Sequence, residues 1–129
     1  RPPAALVAKA VAAAQAFAAA APTALTGAER AILTSRRIVV RSGLIITGDQ
    51  FVTETRRDGL RADFPEAICV EMEGGAIAQV CHLNAKPFVI VRVISDQADA
   101  ASEADFTRFL SSVAPRFTLG IVRELLPRL

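Results

Sequence analysis

The sequence predicts an α/β fold in which a mixed or parallel sheet is flanked by helices. Three apolar segments, 37–47, 67–72 and 88–94, have the β-branched composition that is typical of strands. Segments with helical character separate them, and this alternation is typical of α/β domains. The strands are apolar almost throughout, which indicates a sheet that is covered on both faces.

The size and composition of the chain predict one domain. Its 129 residues, 52% of them hydrophobic, are enough to form one hydrophobic core. The sequence begins with Arg1, and its one methionine is Met72, which lies inside a motif. We therefore expect residues 1–129 to be a single partial domain of a longer protein.

The charge balance does not indicate a nucleic acid or a membrane as a partner. Fifteen basic and thirteen acidic residues give a formal net charge of +2, and the absence of Trp and Tyr disfavours base stacking. Lys9 and Gln15 interrupt the alanine-rich start. We therefore expect no apolar run to reach the roughly 18 residues that span a bilayer.

The two cysteines predict neither a metal site nor a disulfide. Cys69 falls in a predicted strand and Cys81 in the helix that follows, without the spacing of metal ligands. We expect reduced thiols, a cytoplasmic protein, no bound metal and no cofactor.

The first predicted element is a helix that starts after Pro2 and Pro3 and continues to Ala21. Proline suits the first turn of a helix, and alanine has the highest helix propensity. Residues 22–27 are predicted to form a connection, and residues 28–36 receive no assignment.

The next elements are a strand and a short helix. Residues 37–47 predict one strand, or two short ones around Ser42 and Gly43. Thr53 can cap a helix that runs through Arg61, and Pro65 disfavours helix in the residue before it.

The remainder of the chain predicts two strands and two helical segments. The pattern predicts a strand at 67–72, a helix at 75–83 and a buried strand at 88–94. A long amphipathic helix is expected to start at Ser102, and Pro115 is expected to interrupt it before it resumes.

Acidic residues follow two of the predicted strands. Glu71 and Glu73 come at the end of one strand, and Asp96 comes at the end of the next. A buried, unpaired carboxylate costs several kcal/mol, so packing alone does not explain these positions. Ligands of α/β sheets bind at the carboxyl ends of strands, which makes these acids the best candidates for chemistry.

Three motifs around these positions resemble one enzyme family. Ser42–Val52, Val70–His82 and Val91–Asp99 are similar, in order and spacing, to motifs of the 5′-methylthioadenosine/S-adenosylhomocysteine nucleosidases. That family belongs to the wider nucleoside phosphorylase group. The resemblance runs from Ser42 to Leu129 and implies the C-terminal part of a nucleoside phosphorylase-like fold.

The resemblance implies hydrolysis of the bond between adenine and ribose in methylthioadenosine and adenosylhomocysteine, as in methionine salvage. It implies that Asp96 is the general acid that protonates adenine at N7. Glu73 would hold the ribose hydroxyls and balance the positive charge that develops on the sugar. The family also implies a homodimer that needs no cofactor.

The resemblance also implies a set of substrate-binding residues. Phe51 would stack on adenine, the Val52 backbone would bond the purine edge, and Met72 would lie beside the ribose. Ser95 would position the acid, and Arg92 would contact the water site. Phe106 would line the 5′-thio pocket, and Glu71 would lie near the water site.

Two alternatives to this function stay open. The family's general base is a glutamate near its N-terminus, and no residue of this sequence matches it, which predicts weak catalysis by these 129 residues alone. A phosphate-dependent nucleoside phosphorylase is the related alternative. A non-catalytic fragment that binds nucleosides or assembles with full-length subunits is the other.

Overall fold

The computed structural model describes residues 1–33, 38–95, 107 and 109–129. The elements occur in the following order: α1 (Ala4–Ala24), α2 (Gly27–Ile32), β1 (Leu44–Thr47), α3 (Glu54–Asp63), β2 (Ala67–Glu71), α4 (Gly74–Leu83) and α5 (Ala114–Leu125). A 3₁₀ turn at Leu126–Arg128 follows α5, and residues 109–112 are also helical.

The two strands pair in parallel, and their register places Thr47 opposite Glu71. An irregularity between Leu44 and Ile45 shifts the register at the start of β1. Beyond the last pair, the Gly48 N–H donates to the Glu71 carbonyl over 3.0 Å. The carboxyl ends of both strands therefore meet at one edge of the sheet.

Two of the predicted strands differ from the structure. The described residues of the 37–47 segment form a strand only at Leu44–Thr47. The predicted strand at 88–94 was wrong, because residues 88–95 form no strand. Apolar, β-branched composition favours a strand, but a strand forms only where a neighbour supplies ladder hydrogen bonds. Within the described residues, β1 and β2 pair only with each other.

The helices around β2 agree with the sequence. Helix α3 begins after Thr53, as predicted, although the Thr53 side chain makes no capping hydrogen bond. Helix α4 begins at Gly74, one residue before its predicted start, and ends at Leu83. Strand β2 ends at Glu71, one residue before its predicted end.

Helix α1 is confirmed and is longer than predicted. It continues through Pro22 to Ala24, so the predicted connection at 22–27 starts too early. Ala21 and Leu25 are both buried, and the Leu25 N–H donates to the Ala21 carbonyl over 3.0 Å. Burial of this last turn offsets the hydrogen bond that proline cannot make.

Helix α2 occupies part of the segment that the sequence left unassigned. Thr26 and Glu29 form a capping box, in which each side chain accepts from the backbone N–H of the other residue. Arg116 Nε then donates to Glu29 Oε1 over 3.1 Å, which ties α2 to α5. The hydrogen bonds from Thr26 and Arg116, together with the Arg116 charge, outweigh desolvation and lower the pKa of Glu29.

The hydrophobic core lies between α1 and the C-terminal helices. Five α1 residues at helical spacing are buried: Ala10, Ala13, Ala14, Phe17 and Ala21. The rings of Phe17 and Phe117 meet edge to face with centroids 5.1 Å apart, and Phe109 lies 6.5 Å from Phe117. Val113 is fully buried beside them.

The predicted interruption at Pro115 is confirmed. Residues 109–112 are helical, Val113 forms a turn, and α5 starts at Ala114 with Pro115 in its first turn, where the missing N–H has no helical partner to lose. The predicted start of this helical segment at Ser102 lies outside the described residues.

Helix α1 corrects one expectation about length. Within the part of the chain that the structure describes, it is the one helix long and apolar enough to cross a membrane. The expectation that Lys9 and Gln15 would prevent this was wrong, because two polar residues leave the alanine-rich run sufficiently apolar. By length and composition alone, a core helix of a soluble protein passes the same test.

The contact between α1 and α5 predicts the effect of a small substitution. A Cβ at Gly120 would overlap the ring of the buried Phe17. We expect Gly120→Ala to lower the free energy of unfolding by about 1–3 kcal/mol, since overpacking outweighs the better helix propensity of alanine. Chemical denaturation measures this change.

Gly59→Ala in α3 is the matched control, because nothing lies within 4 Å of a Cβ at that position. We expect this variant to be unchanged or up to about 1 kcal/mol more stable. Equal effects of the two substitutions would contradict the close contact between Phe17 and Gly120.

Candidate functional site

A buried carboxylate lies where the two strands end. Glu71 is 6% exposed. Its Oε1 accepts a hydrogen bond from the Thr47 hydroxyl, and its Oε2 accepts from the backbone N–H groups of Glu73 at 3.1 Å and Gly74 at 2.6 Å. The charge is therefore buried with hydrogen-bond donors on both oxygens, which is the condition for keeping a carboxylate inside a protein.

The local sequence explains this arrangement. β2 ends at Glu71 and α4 starts at Gly74, so the carboxylate meets backbone N–H groups that have no partner inside the helix. A Cβ at Gly74 would lie 2.9 Å from Glu71 Oε1, and one at Gly75 would lie 3.0 Å from Thr47 Cβ. The two glycines let α4 approach both strand ends closely.

Arg92 connects the buried acid to an exposed one. Its NH1 group lies 3.7 Å from Glu71 Oε2 and donates to Glu73 Oε2 over 3.2 Å. The Glu73 side chain is 61% exposed and that of Arg92 is 40% exposed, whereas the Glu71 side chain is 1% exposed. The Glu73 carboxylate is therefore open to solvent, whereas the Glu71 carboxylate is enclosed.

The surroundings of Glu71 keep it ionised. Burial raises its pKa, but the hydrogen bonds from Thr47, Gly74 and Glu73, together with the charge of Arg92, outweigh burial and bring the pKa below its ordinary value. A carboxylate with this environment accepts hydrogen bonds and does not supply a proton near neutral pH. It can orient cationic and N–H groups.

Cys69 lies in β2 and remains a thiol. Burial raises its pKa, the Arg92 charge lowers it and the Glu71 charge raises it, and the net shift is upward. Both cysteines are free, and Cys69 is half-buried. A thiol whose pKa is raised is a poor nucleophile near neutral pH, because little of it is thiolate.

The structure brings several predicted site residues together. A cavity of about 1090 Å³ is lined at this edge by Glu71, Arg92 and Ser95, together with Thr47 and Gly74. Glu73 joins the group through its hydrogen bond to Arg92. Asp96 and Phe106 lie outside the described residues.

Three predicted substrate-binding residues lie elsewhere around the strand ends. Phe51 and Val52 follow β1, Phe51 being exposed and Val52 half-buried, and Met72 is exposed between the two acids. Among the described residues, these three are not part of the cavity lining. Their predicted contacts with a nucleoside stay predictions.

Thr47 is the site residue that the sequence analysis missed. It is the last residue of β1, and its hydroxyl also accepts from the Gly75 N–H over 2.8 Å. A signal was present, because a polar β-branched residue ends an otherwise apolar strand immediately before Gly48. Only the parallel register, which sets Thr47 opposite Glu71, shows its partner.

The described residues offer no evident metal centre. Across 1–33, 38–95, 107 and 109–129, no three His, Cys, Asp or Glu residues are grouped so that they could hold a metal ion. Arg92 is the cation that meets Glu71 and Glu73 instead.

Comparison with known proteins places this site in a family context. The model of the phosphorylase superfamily matches residues 2–126. The 5′-methylthioadenosine/S-adenosylhomocysteine nucleosidase of Bacillus cereus is 41% identical over 99 residues, which cover 76% of this chain and 43% of that protein. The protein of the same name from Anoxybacillus flavithermus is 44% identical over 91 residues, or 70% of this chain and 39% of that one.

Solved structures give the same result. The nucleosidase of Colwellia psychrerythraea in complex with adenine has a TM-score of 0.65 and 32% identity, covering 97% of this chain and 46% of that one. The Neisseria meningitidis enzyme in complex with methylthio-immucillin-A has a TM-score of 0.65 and 41% identity, covering 79% and 44%. The predicted resemblance and α/β fold are confirmed, and the chain spans less than half the length of these relatives.

The ionised state of Glu71 predicts a pH-dependent contribution to stability. Because the folded pKa lies below the ordinary value of 4.5, the stabilisation is present above that value and is lost as the pH falls through the folded pKa. We expect Glu71→Gln to lower the free energy of unfolding by about 1–3 kcal/mol at pH 7, and this deficit to narrow below pH 4.5.

Denaturation of both proteins between pH 7 and pH 3 tests this expectation. Glu66→Gln, at an exposed position before β2, is the control and should change stability little at any pH. A deficit for Glu71→Gln that stays constant over the whole range would contradict the assignment of a stabilising charge.

Proposed function

The chain belongs to the phosphorylase superfamily, and from this premise we propose that it carries the nucleoside site of a 5′-methylthioadenosine/S-adenosylhomocysteine nucleosidase. The reaction is hydrolysis of the bond between adenine and ribose. The observation that carries the proposal is the Glu71–Arg92–Glu73 cluster at the ends of two parallel strands. Relatives with this name at 41% and 44% identity support it.

The geometry of the cluster suits the sugar half of the reaction. Cleavage of a glycosidic bond develops positive charge on the sugar, and a carboxylate that faces this charge stabilises it. Glu73 is the exposed acid of the pair, and Arg92 fixes one of its oxygens over 3.2 Å while the other stays available for ribose hydroxyls. The buried Glu71 carboxylate forms an ion pair with the same Arg92 NH1 group over 3.7 Å.

The leaving group requires a proton, and we assign the role of proton donor to Asp96. Adenine leaves readily only when N7 is protonated, and a positioned acid contributes roughly 10²–10⁴-fold to such a step. The proposal gives Ser95 the positioning of Asp96. Phe51 and Val52 bind adenine, Met72 lies beside the ribose, and Phe106 lines the 5′-thio pocket.

The water must also be activated. No glutamate of the 129 residues matches the family's general base, and the chain covers 43% of the Bacillus cereus relative. We therefore expect the 129-residue chain by itself to bind adenine nucleosides and to hydrolyse them roughly 10²–10⁴-fold more slowly than the Neisseria meningitidis enzyme.

The test is adenine release from methylthioadenosine by the purified chain, with and without phosphate, together with calorimetric binding of adenine. We expect binding and slow release that does not depend on phosphate. Release that requires phosphate would favour the phosphorylase alternative. Binding without any release would favour the non-catalytic alternative, and the absence of both would overturn the proposal.

The role of Asp96 is tested in the same assay. Asp96→Asn should slow release of adenine by roughly 10²–10⁴-fold, because it removes the proton donor. A ribosyl substrate with a nitrophenolate leaving group needs no proton and should be much less affected. Asp63→Asn, at the end of α3, is the control. Equal losses for both substrates would contradict the assignment of Asp96 as the acid.

We also propose that the protein is a cytoplasmic homodimer without a nucleic-acid or membrane partner. Helix α4 exposes an apolar row of Ile77, Val80 and Leu83, with exposed fractions of 51%, 60% and 74%. A second copy of the chain can cover such a row, whose continued exposure is unfavourable.

Sedimentation at micromolar concentrations tests the homodimer. We expect the chain to self-associate, and Val80→Lys to weaken this association. Leu126→Lys is the control because Leu126 is similarly exposed, at 62%, in a different part of the fold. A stable monomer, or an equal effect of both variants, would contradict the α4 interface.

A further inference from the structure

We propose that Thr47 is a positioning residue for the reaction proposed above, and that its hydroxyl holds Glu71 as an acceptor and thereby keeps Arg92 beside Glu73. This inference rests on the proposed function. The hydrogen-bond chain that carries it runs from the Gly75 N–H through Thr47 and Glu71 to Arg92 and Glu73.

The direction of the first two hydrogen bonds is fixed by chemistry. A backbone N–H can only donate, so the Gly75 N–H at 2.8 Å makes Thr47 Oγ1 an acceptor. The single hydroxyl proton of Thr47 is then free to point at Glu71 Oε1, which accepts it. This arrangement is complete only when Oε1 carries no proton.

The second oxygen of Glu71 links the ionisation of this carboxyl to the position of Arg92. Oε2 accepts two backbone N–H bonds and lies 3.7 Å from Arg92 NH1, while the same NH1 lies 3.2 Å from Glu73 Oε2. An ionised Glu71 attracts the guanidinium towards the strand ends. A neutral Glu71 would remove one of the two carboxylates that hold the Arg92 guanidinium at the strand ends, where it donates to Glu73.

Within the part of the chain that the structure describes, Arg92 is the cation paired with Glu71. Among the described residues, the ionisable groups near Glu71 are Arg92, which also pairs with Glu73, and Cys69, whose raised pKa keeps its thiol neutral. The Thr47 hydroxyl is one of the groups that lower the pKa of Glu71. Its removal should therefore let burial raise the pKa of the carboxyl.

Two substitutions separate the hydroxyl from the shape of the side chain. Thr47→Val keeps the β-branched shape and removes the hydroxyl, whereas Thr47→Ser keeps the hydroxyl and removes the methyl group. Titration of the Glu71 carboxyl by ¹³C NMR, assigned with Glu71→Gln, reads the ionisation state directly. We expect the midpoint to move to higher pH in Thr47→Val and to stay near the wild-type value in Thr47→Ser.

The pH dependence of adenine release gives the functional result. In Thr47→Val, we expect the acidic limb of the kcat profile to move to higher pH. On that limb kcat should fall by roughly tenfold or more, and it should return towards the wild-type value at the higher pH where Glu71 is ionised. KM should change less than kcat. Thr47→Ser should restore the profile. A loss in Thr47→Val that is equal at every pH would indicate a packing defect and would overturn the inference.

The possible outcomes distinguish this inference from the proposed function. If the wild-type chain neither binds nor releases adenine, the proposed function fails, but the NMR titration still decides whether Thr47 holds Glu71. A Glu71 midpoint that is the same in wild type and Thr47→Val would overturn the inference even if the enzyme is active. Thr47→Ala, which also lacks the hydroxyl, replaces Thr47→Val if circular dichroism shows that the valine variant is unfolded.

Discussion

The buried charge of Glu71 constrains the whole edge of the sheet where the candidate site lies. A carboxylate that is 6% exposed needs donors on both oxygens, and two different elements supply them. β1 provides the Thr47 hydroxyl and the start of α4 provides backbone N–H groups. Glu71 therefore has all of its donors only when the strand register, the start of α4 and the close approach at Gly74 occur together.

A second region of the described chain forms the apolar core. Phe17, Val113 and Phe117 pack where α1 meets the C-terminal helices, and the Arg116–Glu29 pair fixes α2 beside them. The cavity between the two regions is lined by residues of both.

The division of work between the two glutamates follows from their exposure. Glu71 is enclosed and ionised, so it orients neighbouring groups, whereas Glu73 faces solvent and can meet a ligand. Arg92 lies between them and couples their positions. Two acids that are two residues apart in the sequence therefore have different physical environments, which suits the proposed role of Glu73 in stabilising a developing cation.

The sequence by itself determined the α/β class, the helices at α1, α3 and α4, the break at Pro115 and the acids at the end of β2. These follow from local propensity and from the cost of placing charge beside apolar strands. The tertiary structure alone decided that residues 88–95 have no strand assignment, that Thr47 meets Glu71 and that Glu71 and Glu73 differ in exposure. Ladder pairing, register and burial depend on residues distant in the chain, and composition does not contain that information.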